Sequence, residues 1–143
     1  MFLVQRYEHF SILQYNLQIF RTFNKVGLIK YCDIWEEVCN MESPTEYKQG
    51  VDAVGNVFIQ MAQQHQWAVE GSEQEKAGNA ICITMNPEAK EKPIVFSGHI
   101  DTVYPLGTFP SPAVHRDNER IYGPGTIDCK GGIVAAIMAM EVL

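Results

Sequence analysis

The sequence predicts an α/β fold, with helices packed on a mixed, largely parallel sheet. Three observations predict it. Apolar residues recur at helical spacing up to about His65, then switch to strand-like patterns from Asn79. The stretch "PIVFS" at 93–97 is a continuous apolar run, as expected of a strand buried on both faces of a mixed or parallel sheet. The closing stretch "IVAAIMAMEVL" is apolar nearly all round, which suits a helix buried against a sheet.

The elements follow in order. Tyr7, Phe10, Leu13, Leu17 and Phe20 recur at three- and four-residue steps, so residues 1–27 read as a helical extension ahead of a domain at 28–143. Ile34, Trp35, Val38 and Met41 make a second stripe. "SPTE" reads as a helix start: Ser43 can cap, Pro44 suits a first turn and Glu46 can reach back. Val51, Val54, Phe58, Met61 and His65 continue a helical face, with His65 read as packing or surface rather than a ligand. "NAICITM" at 79–85 alternates like a strand, and a polar turn at 86–92 leads into "PIVFS". Gly98, Pro105, Gly107, Pro110 and Pro112 mark a long loop. "AVHRD" and "RIY" suggest a short hairpin around Asp117 to Glu119, with His115 on its surface. "EGSEQEKAG" and "NPEAKEKP" read as solvated loops. The last helix, from near Gly131, has no glycine cap, basic last turn or polar tail, so the chain reads as the front part of a longer fold.

Composition narrows the function classes. With 143 residues, 46% hydrophobic and 20% charged, the balance is that of a globular domain. A net charge of -6 gives no electrostatic reason to expect nucleic acid or an anionic membrane as partner. Cys32, Cys39, Cys82 and Cys129 form no CxxC, which points to reduced thiols in a cytoplasmic protein. The apolar beginning is broken by Arg6, Glu8 and His9, unlike a signal peptide or a membrane span.

Chemistry concentrates in two places. In "GHIDTVYP", His99 and Asp101 stand two apart, and side chains at i and i+2 of an extended chain share a face. A neutral imidazole can bind zinc through one nitrogen while a carboxylate holds the other and fixes the tautomer. In "GPGTIDCKGG", Asp128 precedes a helix within a turn rich in glycine. A carboxylate can bridge two cations there, or simply complement the helix dipole. Phosphate-binding readings fail. Lys130 is followed by Gly131 where a Walker loop needs Ser or Thr, and Asp128 replaces the third glycine of a dinucleotide fingerprint.

"SGHIDTVYP" followed by "YGPGTIDCKGG" resembles the two leading signatures of the co-catalytic zinc metallopeptidase family. That family includes glutamate carboxypeptidase, aminoacylase, acetylornithine deacetylase and succinyl-diaminopimelate desuccinylase. The resemblance covers about residues 28–143, with "DTVYPLGTF" and "YGPG" most similar to the glutamate carboxypeptidase branch. It implies an incomplete N-terminal portion of a zinc-exopeptidase-like catalytic domain, with the lid domain absent. By resemblance, His99 is a zinc ligand, Asp101 orients it, and Asp128 bridges two zinc ions ahead of a cis peptide to Cys129. Cys129 takes no role. The general-base glutamate and the remaining ligands of the family have no counterpart in the chain.

The resemblance implies a zinc-dependent hydrolase of peptide or N-acyl amino acid amide bonds, inactive as this truncated chain. Its partner would be a peptide or N-acyl amino acid, and dimers would belong to the full-length form. The alternative is a non-catalytic truncated product or a binding module completed by a partner.

Overall fold

The computed structural model describes residues 1–5 and 25–142. The elements in chain order are β1 (Phe2–Gln5), α1 (Lys25–Asn40), α2 (Lys48–Gln64), β2 (Ala68–Ser72), β3 (Ala80–Met85), β4 (Ile94–Ser97), β5 (His115–Arg116), β6 (Ile121–Tyr122) and α3 (Lys130–Val142). The main sheet runs β2-β3-β1-β4, and β5 pairs with β6 apart from it. The sheet is mixed, as expected, but its parallel share is smaller than the sequence suggests. β1 runs parallel to β3, whereas β1–β4 and β2–β3 are antiparallel.

Alternation explains β3. Ile81, Ile83 and Met85 are buried on one face, where they meet Val51, Val54, Phe58 and Met61 of α2 in the core. Val38 of α1 and Ile133, Val134, Ile137 and Met140 of α3 complete that cluster. Each such side chain contributes roughly 1.5–3 kcal/mol when it leaves water. Gly55 lets α2 lie close to β3, because an added Cβ would come within 2.6 Å of the Ile81 side chain.

Several expectations change. The stripe from Tyr7 to Phe20 lies outside the described residues, but Phe2–Gln5 are a strand and not part of a helical extension. They sit inside the sheet, with Leu3 buried in the core. "PIVFS" does form β4, but at the sheet edge, where Ile94 and Val95 are exposed. An apolar run gives burial on both faces only where layers cover both faces. β2 takes up the start of the "EGSEQEKAG" segment, because Glu70 to Ser72 pair with β3 through their backbones despite polar, exposed side chains. α3 buries one side only; Gly132, Ala135 and Ala139 leave the opposite side exposed. α2 begins at Lys48, with Tyr47 and not Ser43 at its cap position.

The hairpin forms as expected, with Asp117 accepting hydrogen bonds from the Glu119 and Arg120 amides. His115 is exposed on it and stacks on Tyr122. His65 packs on Trp67 and lies 2.7 Å from the Glu141 carboxylate, which ties the end of α2 to the end of α3.

Candidate metal centre

The site forms where the chain leaves β4. Gly98 is fixed by the N-terminus, with the Met1 ammonium donating to Gly98 O (2.6 Å) and Gly98 N to Met1 O (3.0 Å). Beyond it the chain stays extended and pairs with the 43–45 segment. Thr102 N donates to Ser43 O (2.8 Å), Thr45 N to Thr102 O (3.2 Å), and the buried Ser43 hydroxyl to Ile100 O (3.0 Å). Alternation then buries Ile100 and turns His99 and Asp101 to the open side.

Asp128 arrives from the glycine-rich turn. Gly125 has φ +74°, a conformation that glycine adopts without a Cβ clash. At Gly131 a Cβ would run into the Thr126 carbonyl and the Trp35 ring, so only glycine lets α3 start this close to the turn. The Asp128–Cys129 peptide is cis, as the resemblance implies; Ser111–Pro112 is cis as well.

The three residues singled out in the sequence meet around one imidazole. His99 Nδ1 lies 3.1 Å from Asp101 Oδ1, and His99 Nε2 lies 2.8 Å from Asp128 Oδ1. The other Asp101 oxygen accepts from the Thr45 hydroxyl (2.5 Å). Hydrogen bonding to Asp128, helped by Asp101, raises the His99 pKa against a smaller opposing effect of burial. For Asp101, burial pushes the pKa up, but hydrogen bonds from Thr45, the backbone and His99 outweigh it and hold the carboxyl below its usual range.

A ring nitrogen of His99, a carboxylate oxygen of Asp128 and Cys129 Sγ all lie within 4.8 Å of one another. That span fits one cation after small side-chain shifts, since neighbouring ligands of a tetrahedral zinc stand about 3.3–3.8 Å apart. A neutral nitrogen, a carboxylate and a cysteine thiolate are zinc's usual donor types. The Cys129 thiol is engaged beneath the site. It accepts from His99 N (3.2 Å) and donates to His99 O (3.3 Å).

Three residues given no site role from the sequence belong to this framework. Cys129 braces the His99 backbone. Thr45 holds Asp101, although "SPTE" signals a helix cap. Lys130 is fully buried, and its ammonium donates to Val38 O (2.8 Å) and Met41 O (2.9 Å). Burial lowers its pKa to about 8. No local pattern marks Thr45 or Lys130, because their partners are distant in the sequence.

The centre lines an open cleft of about 260 Å³ with Thr102, Tyr104 and the exposed apolar residues Val103 (87%) and Ile127 (89%). No helix among the described residues is long and apolar enough to cross a membrane.

No curated protein sequence matches the chain. Residues 95–143 match the family model of peptidase family M20/M25/M40. The matched segment holds His99, Asp101 and Asp128, the residues that meet in the cleft. Over residues 95–143, the chain is therefore similar to part of peptidase family M20/M25/M40.

Proposed function

We propose that this chain forms the metal-binding front of a zinc-dependent hydrolase that cleaves amide bonds of peptides or N-acyl amino acids. The observation that carries the reading is the single imidazole held between two carboxylates at the mouth of a cleft. With Asp101 accepting the Nδ1 proton, a cation that displaced the Nε2 proton now shared with Asp128 would meet an Nε2 lone pair. His99 and Asp128 would hold the cation. Asp128 carries two oxygens on an 85% exposed side chain, so it can serve two cations at once.

A bound zinc would supply a water of lowered pKa and polarise the amide carbonyl. The protein's own residues do the positioning. Asp101 sets the tautomer, Thr45 sets Asp101, and the glycine turn presents Asp128. Two protein ligands are fewer than the three that a catalytic zinc normally takes, so the chain alone is expected to bind zinc weakly and hydrolyse nothing. The exposed Val103 and Ile127 at the cleft favour cover by further polypeptide or by substrate.

The test is a zinc titration of the 143-residue chain against a chromophoric chelator, beside His99→Ala. Weak binding by the wild type, lost in the variant, supports the reading. A wild type that binds no zinc, or a variant that binds as well, overturns it.

A further inference from the structure

Among the described residues, Lys130 is the one fully buried side chain that carries a charge. Both groups its ammonium meets are backbone carbonyls, Val38 O and Met41 O. A buried cation whose hydrogen-bond partners are both neutral is costly, with the Asp101 carboxylate offsetting part of that cost at longer range, and a methionine would fill similar space without it. What methionine cannot do is grip. Val38 and Met41 lie at the C-terminal end of α1, which ends at Asn40. Carbonyls there lack helical partners and stand at the negative pole of the helix.

The segment they belong to holds the other half of the site. Just beyond Met41, Ser43 bonds Ile100 O, and Thr45 bonds the Asp101 carboxylate. Just before it, Asn40 Oδ1 accepts from Ala113 N and Val114 N. Residues 38–45 therefore grip the strand end that carries His99 and Asp101. Among the described residues, the Asp128 carboxylate meets only His99. Its place is set by its backbone, which is anchored one residue along by the Cys129 thiol on the His99 backbone and two residues along by Lys130 on the 38–45 segment.

We infer that Lys130 is a positioning residue for the metal centre: its ammonium ties the Asp128 turn to the same 38–45 segment that holds His99 and Asp101 and so, together with the Cys129 thiol on the His99 backbone, sets the gap between His99 Nε2 and Asp128 Oδ1. The inference rests on the metal-binding reading above. It goes further by assigning that gap to a side chain that touches neither ligand.

The experiment uses the whole chain with cobalt(II), whose visible absorption reports ligand geometry. Wild type is compared with Lys130→Met, Lys130→Gln and a distant core variant, Val54→Ala. Lys130→Met is expected to stay folded by circular dichroism, to bind cobalt about tenfold more weakly, the scale seen when an outer partner of a ligand is lost, and to show an altered visible spectrum at saturation. Lys130→Gln keeps one amide donor and should fall between. Val54→Ala should lower the melting temperature and leave affinity and spectrum unchanged, as a merely structural loss would. If Lys130→Met does not fold, Lys130→Gln carries the comparison. A folded lysine variant with wild-type affinity and spectrum overturns the inference, as does loss of fold in both. A wild type that binds no cobalt instead overturns the metal-binding reading itself.

Discussion

Asp101 and Asp128 approach one imidazole from opposite nitrogens, yet the chain holds them very differently. The Asp101 side chain is 26% exposed, its carboxylate bonded to His99 on one oxygen and Thr45 on the other. The Asp128 side chain is 85% exposed and bonded to His99 alone. A carboxylate with both oxygens engaged orients its neighbour and has little left to offer an ion. One with open lone pairs can accept cations. The contrast supports the orienting role proposed for Asp101 and the ligating role proposed for Asp128.

Substitutions can break this contrast. The largest effect is expected from Asp128→Ala, which should abolish measurable zinc binding while the melting temperature stays within about a degree, since exposed side chains contribute little to stability. Calorimetric titration and thermal unfolding check both halves. Next, Asp101→Asn should weaken zinc binding about 10–100-fold. An amide NH2 facing Nδ1 would place the ring proton on Nε2, the atom meant for the cation. An Asp101→Asn loss as complete as that of Asp128→Ala would erase the distinction between the two carboxylates.

The smallest effect should come from a carboxylate outside the site. Burial pushes the Asp52 pKa up, but the Lys48 ammonium and the Asn79 amide outweigh it and hold the carboxyl below its usual range. The folded value is thus below the unfolded one. Its contribution to stability is present above about pH 4 and lost as pH falls through the lowered value. The group is partly exposed, so the gain is at most about 0.5 kcal/mol. Asp52→Asn should therefore lower the urea midpoint slightly at pH 7, with the difference closing toward pH 3 and zinc binding unchanged throughout.

How much of this was legible in the sequence depended on range. His99, Asp101 and Asp128 could be read because a two-residue spacing and a glycine-rich turn are local patterns. β3 could be read because one covered face imposes alternation. Ser43 reads as a helix cap and Thr45 is given no role, because the residue types that cap helices also bond strands, and only the tertiary fold chooses between these uses. Ser43 spends its hydroxyl on Ile100, and Thr45 spends its own on Asp101. Lys130 figures in the sequence only through a phosphate-loop match that fails, and nothing near it in the chain announces α1 as its partner. β4 shows the reverse error. Its apolar run was plain, but which strands and helices flank it is a property of the assembled sheet.

The place of β1 has a practical consequence. The Met1 amine rests on Gly98, one residue from the candidate ligand His99. Any affinity tag or fusion partner joined ahead of Met1 would exchange that ammonium for an amide and emerge beside the cleft. A purification handle belongs at the other end if metal titrations are to report on the protein and not on the handle.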